Sequence, residues 1–347
     1  MSDRPWIQSG AAVHVSIIGF DGGEERTRNL DGAYVQTIHP NLTGTFDLTV
    51  AVPLPENAGI AFKGPSPGGK FDISDEAAQT FLAAKGNPNG RPNSDVLKRV
   101  VNAADILQRS RNYWTIDFGP QAKEEDAALY EAPFEYVKQR NYEAKITEGK
   151  MPRQKWWLYE RPRLDLRKAL AGLTRYIATP RTAKHRIFVW VPADVMANDA
   201  TVVIARDDDY SFGVLHSRAH ELWARGMGTQ LREAESGFRY TSTTTFATFP
   251  SPKPTIEQQA EISAVARRLD ELRRNWLDPE GTSEAELKKR TLTNLYNARP
   301  TWLANAHAEL DKAVFEAYGW PKDISDEDIL KNLLALNLER SGDRASA

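Results

Sequence analysis

The stretch 201-TVVIARDDDYSFGVLHSRAHELWARGMG-228 decides the fold class. Its opening residues, with Ala200 before them, form an apolar β-branched run that stops at Asp207, Asp208 and Asp209, which predicts a strand. The remainder carries Val214, Leu215, Leu222 and Trp223 and closes at Gly226 and Gly228, which predicts one helix. A strand that feeds a helix through a short turn calls for mixed α and β layers.

The neighbouring sequence extends this pattern. HRIFVWVP and NYWTIDFG read as further strands. Ser74 caps a compact helix that Gly86, Asn87 and Pro88 stop, and residues 122–140 read as helical with an acidic first turn. GAAVHVSIIGF (10–20) reads as a buried strand, and AYVQTIHPNLTGTFDLTVAVPL as more strand structure with turns at Pro40, Asn41 and Gly44. After 249-FPSPKP-254 the character changes. Thr255 opens an amphipathic helix with Ile256, Ile262, Val265, Leu269 and Leu272 on one side. Ser283 with Glu286, Pro300, and Ser325 with Asp328 open three more. FPSPKP is therefore the best domain boundary in the chain.

Composition narrows the function classes. The 347 residues suffice for two or three domains, and a net charge of −2 confines any nucleic-acid surface to a local patch. There is no cysteine, which excludes disulfides, thiolate metal sites and thiol nucleophiles. No apolar run is long enough for a membrane helix, and the expected compartment is the cytoplasm.

Four motifs suggest chemistry, and each has a plainer reading. His216 and His220 stand four apart, but Ser217 occupies the place where a zinc-binding HExxH helix needs glutamate, so a packed helix is expected and no metal. 64-GPSPGGKF-71 has phosphate-loop spacing, yet Phe71 replaces the magnesium-binding hydroxyl and two prolines remove N–H donors. A surface loop is expected. 87-NPNGRPNSD-95 lacks the second proline and the aromatic of an amino-methyltransferase NPP[FYW] loop. The 207–209 aspartates lack a suitably spaced lysine and read as a solvated turn. No catalytic residue is assigned.

Residues 151–190 differ. They hold ten Arg or Lys against Glu160 and Asp165, with Trp156, Trp157, Tyr159 and Tyr176 interleaved. Such a stretch can neutralise phosphates, and a charged solvent face explains the composition equally well.

Five phrases in order, NPNGRPNSDVLKRVVNAADILQRSRNYWTIDFG, LYEAPFEYVK, RYIATPRTAKHRIFVW, YSFGVLHSRAHELWARGMG and GFRYTSTTTFATFPSP, resemble the target-recognition and C-terminal portion of MmeI-like restriction–modification enzymes, which are adenine-specific DNA methyltransferases. WIQSGAAVHVSIIGF is similar to the last strands of their methyltransferase domain. The resemblance implies a mixed α/β (α+β) target-recognition domain over 56–250. The end of a methyltransferase-like sheet (1–55) would precede it, and a small helical domain (251–347) would follow. It implies double-stranded DNA as partner, together with a methyltransferase or nuclease subunit, and adenine-N6 methylation as the reaction served. No cofactor is expected on this chain; S-adenosylmethionine belongs to the methyltransferase domain. The implied DNA-binding residues are Arg175, Arg181, Lys184, Arg186, Glu235, Gly237 and Arg239. Glu235 and Gly237 fall on the family's base-reading pair, where glutamate can accept from a cytosine amine and Gly237 departs from the charged partner. Thr241 to Thr244 are strand formers. Two alternatives stand beside this: a broken fragment of a full-length type IIG enzyme, and a protein whose helical tail docks other subunits.

Overall fold

The computed structural model describes residues 4–8, 11–39, 42, 44, 46–230 and 237–342. Its centre is a four-stranded antiparallel sheet in the order Val189–Pro192, Arg175–Pro180, Thr201–Ile204, Ala61–Lys63. The two inner strands are buried on both faces, and the period of two divides their side chains between two cores. Ile177, Val202 and Ile204 enter the largest core, while Tyr176, Ala178 and Val203 enter a smaller one with Ile106 and Leu166.

A second sheet orders Met196–Ala197, Leu97–Val101, Trp114–Ile116 and Asp72–Ile73. The helices Asp75–Ala83, Glu124–Ala128 and Glu131–Lys138 follow the expected pattern, with the Ser74 side chain accepting from Ala77 N–H. Phe71, Ile116, Phe134 and Trp156 fill the core beneath them.

The predicted helix after Asp209 is two helices, Asp209–His216 and Arg218–Met227. Ser217 interrupts them with φ −71 and ψ 156, and its hydroxyl accepts from His220 N–H. A serine that caps a new helix defeats an uninterrupted apolar pattern.

The C-terminal helices Ile256–Leu277, Thr301–Tyr318 and Asp326–Gly342 do not form a separate unit. Ile262, Leu269, Leu310, Val314 and Leu333 share one core with Ile177, Phe188, Trp223 and Phe249. FPSPKP therefore marks a change of secondary structure and no break in packing. The closest approach requires Gly213, where a Cβ would lie 2.8 Å from Ile262 Cγ2. Ile256 was expected on the buried side and is 82% exposed, because it precedes the stripe that meets Gly213. The boundary near residue 55 is bridged as well. The Leu54 N–H donates to the Ala247 carbonyl at 2.8 Å, and the Asn337 amide to those of Val52 and Thr248.

The N-terminal residues depart most from expectation. Arg4–Gln8 pairs with Ala11–Val15, and Arg28–Leu30 with Ala33–Val35, as two hairpins. The strand ends before Ile17, and Ile17, Ile18 and Phe20 are exposed where a buried strand was expected. A two-stranded hairpin offers no second layer to cover them. Leu48–Val50, expected to be strand, is a 3-10 turn that Asp47 caps.

One buried ion fastens the helices to the sheet. Arg273, 2% exposed, donates to the Phe188 carbonyl at 3.0 Å, His216 Nε2 at 2.8 Å, Tyr296 Oη at 3.3 Å and Asp270 at 3.1 Å. Arg273→Leu should cost about 3 kcal/mol by stranding these acceptors, read as a lower denaturant midpoint. Truncation after Pro250 should abolish cooperative unfolding altogether, because it opens the largest core. A sharp thermal transition in the truncated chain would contradict the shared core.

Candidate nucleic-acid interface

A small sheet stands at one end of the central one. Phe238–Arg239 lies between Thr182–Ala183 and Thr229–Gln230, pairing antiparallel with both. Thr182 and Thr229 both face Arg239. The chain leaves the central sheet at Pro180 and enters this one after Arg181, whose N–H donates to Ala200 O at 2.9 Å and whose carbonyl accepts from Tyr240 N–H at 2.7 Å.

The residues singled out from sequence have different fates here. Arg239 is exposed, and Arg181 is half-buried with Nη1 donating to the Asp199 carbonyl at 3.2 Å. Burial lowers the Arg181 pKa, and repulsion from Arg239 and then Arg163 adds to it, while Asp199 opposes. Lys184 is exposed on the same strand connection. Gly237 supplies backbone and no reading group. Its φ is +80, and a Cβ there would lie 2.1 Å from the Ala183 carbonyl oxygen. Glu235 lies outside the described residues.

Two arginines are corrected. Arg186 is buried, with its guanidinium donating to Thr179 Oγ1 at 3.0 Å, to the Pro180 carbonyl and to the Phe238 carbonyl at 3.2 Å. It also lies against the rings of Phe238 and Tyr240. Desolvation pushes its pKa down to about 10, with Tyr240 opposing. It ties the small sheet to the central one and cannot meet a ligand. Arg175 stands at the far end of its strand. It donates to Asp207 O and Asp209, 2.8 Å away, and stacks on Trp190 with 3.7 Å to the ring centre. Its guanidinium is engaged within the chain, on a carboxylate it shares with Arg267.

The other motifs are absorbed by packing. His216 and His220 lie on different helices. The Nδ1–H of His216 donates to Phe212 O, leaving Nε2 to accept from Phe188 N–H and Arg273. His220 donates to Leu215 O and accepts from Tyr240 Oη–H at 3.0 Å. Asp208 caps the 209–216 helix through Ser211 N–H, and Asp209 bridges Arg175 and Arg267, so the expected solvated turn is a helix cap. The 64–71 loop is packed at its ends, with Gly64 against the Asn198 carbonyl and Phe71 1% exposed, while 68–70 lie on the surface as expected. Asn87 donates to Arg91 O and Asn93, making 87–93 a structural turn. Thr241 to Thr244 are not strand: Ser242–Phe246 is a π-helical turn that Thr241 caps. Among the described residues no cluster of three or more His, Asp or Glu is placed to hold a metal.

Sequence reading missed Lys63, Ser66 and Asp199 at this end of the sheet, where Asp199 meets Lys63, the Ser66 hydroxyl and Arg181. Their proximity comes from strand pairing across more than a hundred residues, which local pattern does not carry.

Comparison with known proteins gives three findings. The family described as MmeI, target recognition domain, matches residues 64–253, more than half of the chain. DNA methyltransferase A of Bacillus subtilis (strain 168) is 30% identical over 149 residues, covering 42% of this chain and 15% of that protein. A solved structure of the type IIL restriction–modification enzyme MmeI in complex with DNA superposes with a TM-score of 0.64 at 20% identity. It covers 89% of this chain and 39% of that one, and so shows a shared fold. The chain thus spans well under half the length of either relative.

The buried imidazoles set a pH limit. Desolvation holds His216 well below its usual value, His220 at about 3 and His307 at about 4. The unfolded chain takes up protons near pH 6.5 that the folded chain refuses, so stability falls as pH drops from 7. Each group contributes on the order of 1 kcal/mol of loss by pH 5.5. Asp311, which burial raises to about 6, gains stability on protonation and offsets part of this. A thermal melt should shift down by several degrees between pH 7 and 5.5, and a flat profile would refute neutral burial of these histidines.

Proposed function

This chain belongs to the MmeI target recognition domain family, and on that premise we propose that it recognises a double-stranded DNA sequence for an adenine-N6 methyltransferase of a restriction–modification system. The observation that carries the reading is the exposed Arg239 beside Arg181, on a sheet formed by the two segments that flank 231–236. A cationic ledge suits a duplex: its arginines would fix the backbone, and Glu235, as the family resemblance implies, would accept from a base edge. The target adenine would be flipped into a methyltransferase domain that this segment serves, and S-adenosylmethionine would bind there. The asparagines of 87–93 are engaged in their own turn and do not fit that catalytic role.

The C-terminal helices support the same reading over a subunit-docking tail, because their apolar faces are buried in the shared core. Among the described residues no helix is long and apolar enough to cross a membrane.

Fluorescence anisotropy of the full chain with a duplex, over a salt series, tests this. Arg239→Ala should weaken binding about tenfold and reduce the salt slope by about one, or relax specificity if it meets a base. Arg175→Ala should leave the slope unchanged, since its guanidinium is held by Asp209 and Trp190 at the opposite end of the strand. Absence of duplex binding at low salt would overturn the assignment.

A further inference from the structure

The end of the central sheet holds more positive charge than the ledge alone. Ala61–Lys63 and Arg175–Pro180 finish there, and Thr201–Ile204 begins there. Asp199 lies between them. Lys63 Nζ is 3.4 Å from Asp199 Oδ2, the Ser66 hydroxyl donates to the same oxygen at 3.0 Å, and Arg181 takes the Asp199 carbonyl. Ser66 is bridged to Arg161 by two backbone hydrogen bonds of 3.0 Å, which brings residues 161–163 to this corner.

Arg163 is the unusual member. It precedes the helix Leu164–Leu170 with φ 55 and ψ 66, a left-handed conformation that ordinarily favours glycine. Its Nε is buried with no hydrogen-bond partner, a state shared by one guanidinium nitrogen each of Arg167, Arg186, Arg273 and Arg290, but among the described residues Arg163, unlike Arg167 and Arg273, makes no ion pair within 4.0 Å, and neither do Arg181 and Arg239. A strained backbone that delivers an unpaired guanidinium to a corner already rich in cations fits a site for an anion from outside.

We propose that Lys63, Arg163 and Arg181 form a clamp for a backbone phosphate of duplex DNA, with Asp199 as the internal counter-charge that holds Lys63 in place when no DNA is bound. The proposal rests on the DNA-recognition reading above and adds the residues that grip the backbone beside Arg239. The clamp is indifferent to sequence, because a phosphate is the same at every step of the duplex. Asp199, with its side chain 40% exposed, repels the approaching phosphate and keeps non-specific binding weak.

Substitutions at the two key positions have opposite expected signs. Arg163→Gly removes the guanidinium at a backbone position glycine prefers, so the melting temperature should hold or rise. The same variant should bind a mixed-sequence duplex about tenfold more weakly, with the salt slope reduced by about one. Asp199→Asn should strengthen binding to that duplex severalfold. Inorganic phosphate serves as a competitor, and displacement of DNA only at high ionic strength is expected of a clamp built for a polyanion. If Arg163→Gly binds with an unchanged slope while Arg239→Ala lowers it, the clamp is wrong and DNA recognition stands. If the intact chain binds no duplex, both fail. If free phosphate saturates the site and duplex does not compete, the corner is an ion site and the clamp is wrong.

Discussion

The buried guanidinium of Arg273 is the constraint on which the rest of this structure depends. A charge with 2% exposure is tolerated only where acceptors surround it, and here they come from four places in the chain. Phe188 O lies at the start of an edge strand, His216 ends the first of two short helices, Asp270 is on the same long helix, and Tyr296 is on a later one. Each acceptor is directional. The long helix therefore has one angular setting against the sheet that satisfies all of them, whereas apolar packing alone would permit small rotations. Gly213 adds the distance restraint by letting Ile262 approach.

The same device recurs at the functional end. Arg186 collects the Pro180 and Phe238 carbonyls and Thr179, and so joins the central sheet to the small sheet that carries Arg239. His220 and Tyr240 pass the restraint back to the paired helices. The exposed arginines are thus set by buried ones. Polar contacts of fixed length hold the register of the small sheet better than a slippery apolar interface would.

Much of the secondary structure was visible in the sequence. The Ser74 cap, the acidic start at Glu124 and the helix start at Thr255 are local, and local chemistry decides them. The helix break at Ser217 was hidden by the apolar residues that continue on both sides of it, although serine favours an N-cap over a helix interior. The site was less legible still. Arg175, Arg181, Arg186 and Arg163 look alike in a basic stretch, yet one is paired with Asp209, one is half-buried, one is wholly enclosed and one is held in a left-handed turn. What separates them is which strand end and which carboxylate they meet, and strands paired across long sequence distances determine both. The apparent break at FPSPKP misled for a related reason: proline content reports local backbone restriction and is silent about which cores the flanking helices fill.

The two ends of the central sheet treat charge in opposite ways. At one, Arg175 and Arg267 close on Asp209, and Trp190 covers the guanidinium, so the field there is largely cancelled within the chain. At the other, Lys63, Arg163, Arg181 and Arg239 share a corner in which Asp199 is the near carboxylate, and burial with mutual repulsion lowers the Arg181 pKa. Folding alone would favour the first arrangement at both ends. Like charges kept together, one of them on a strained backbone, raise the free energy of the isolated protein and lower that of a complex with a polyanion. The asymmetry along a single sheet therefore gives the molecule a direction: one end answers its arginines with carboxylates of the same chain, and the other keeps its cations together.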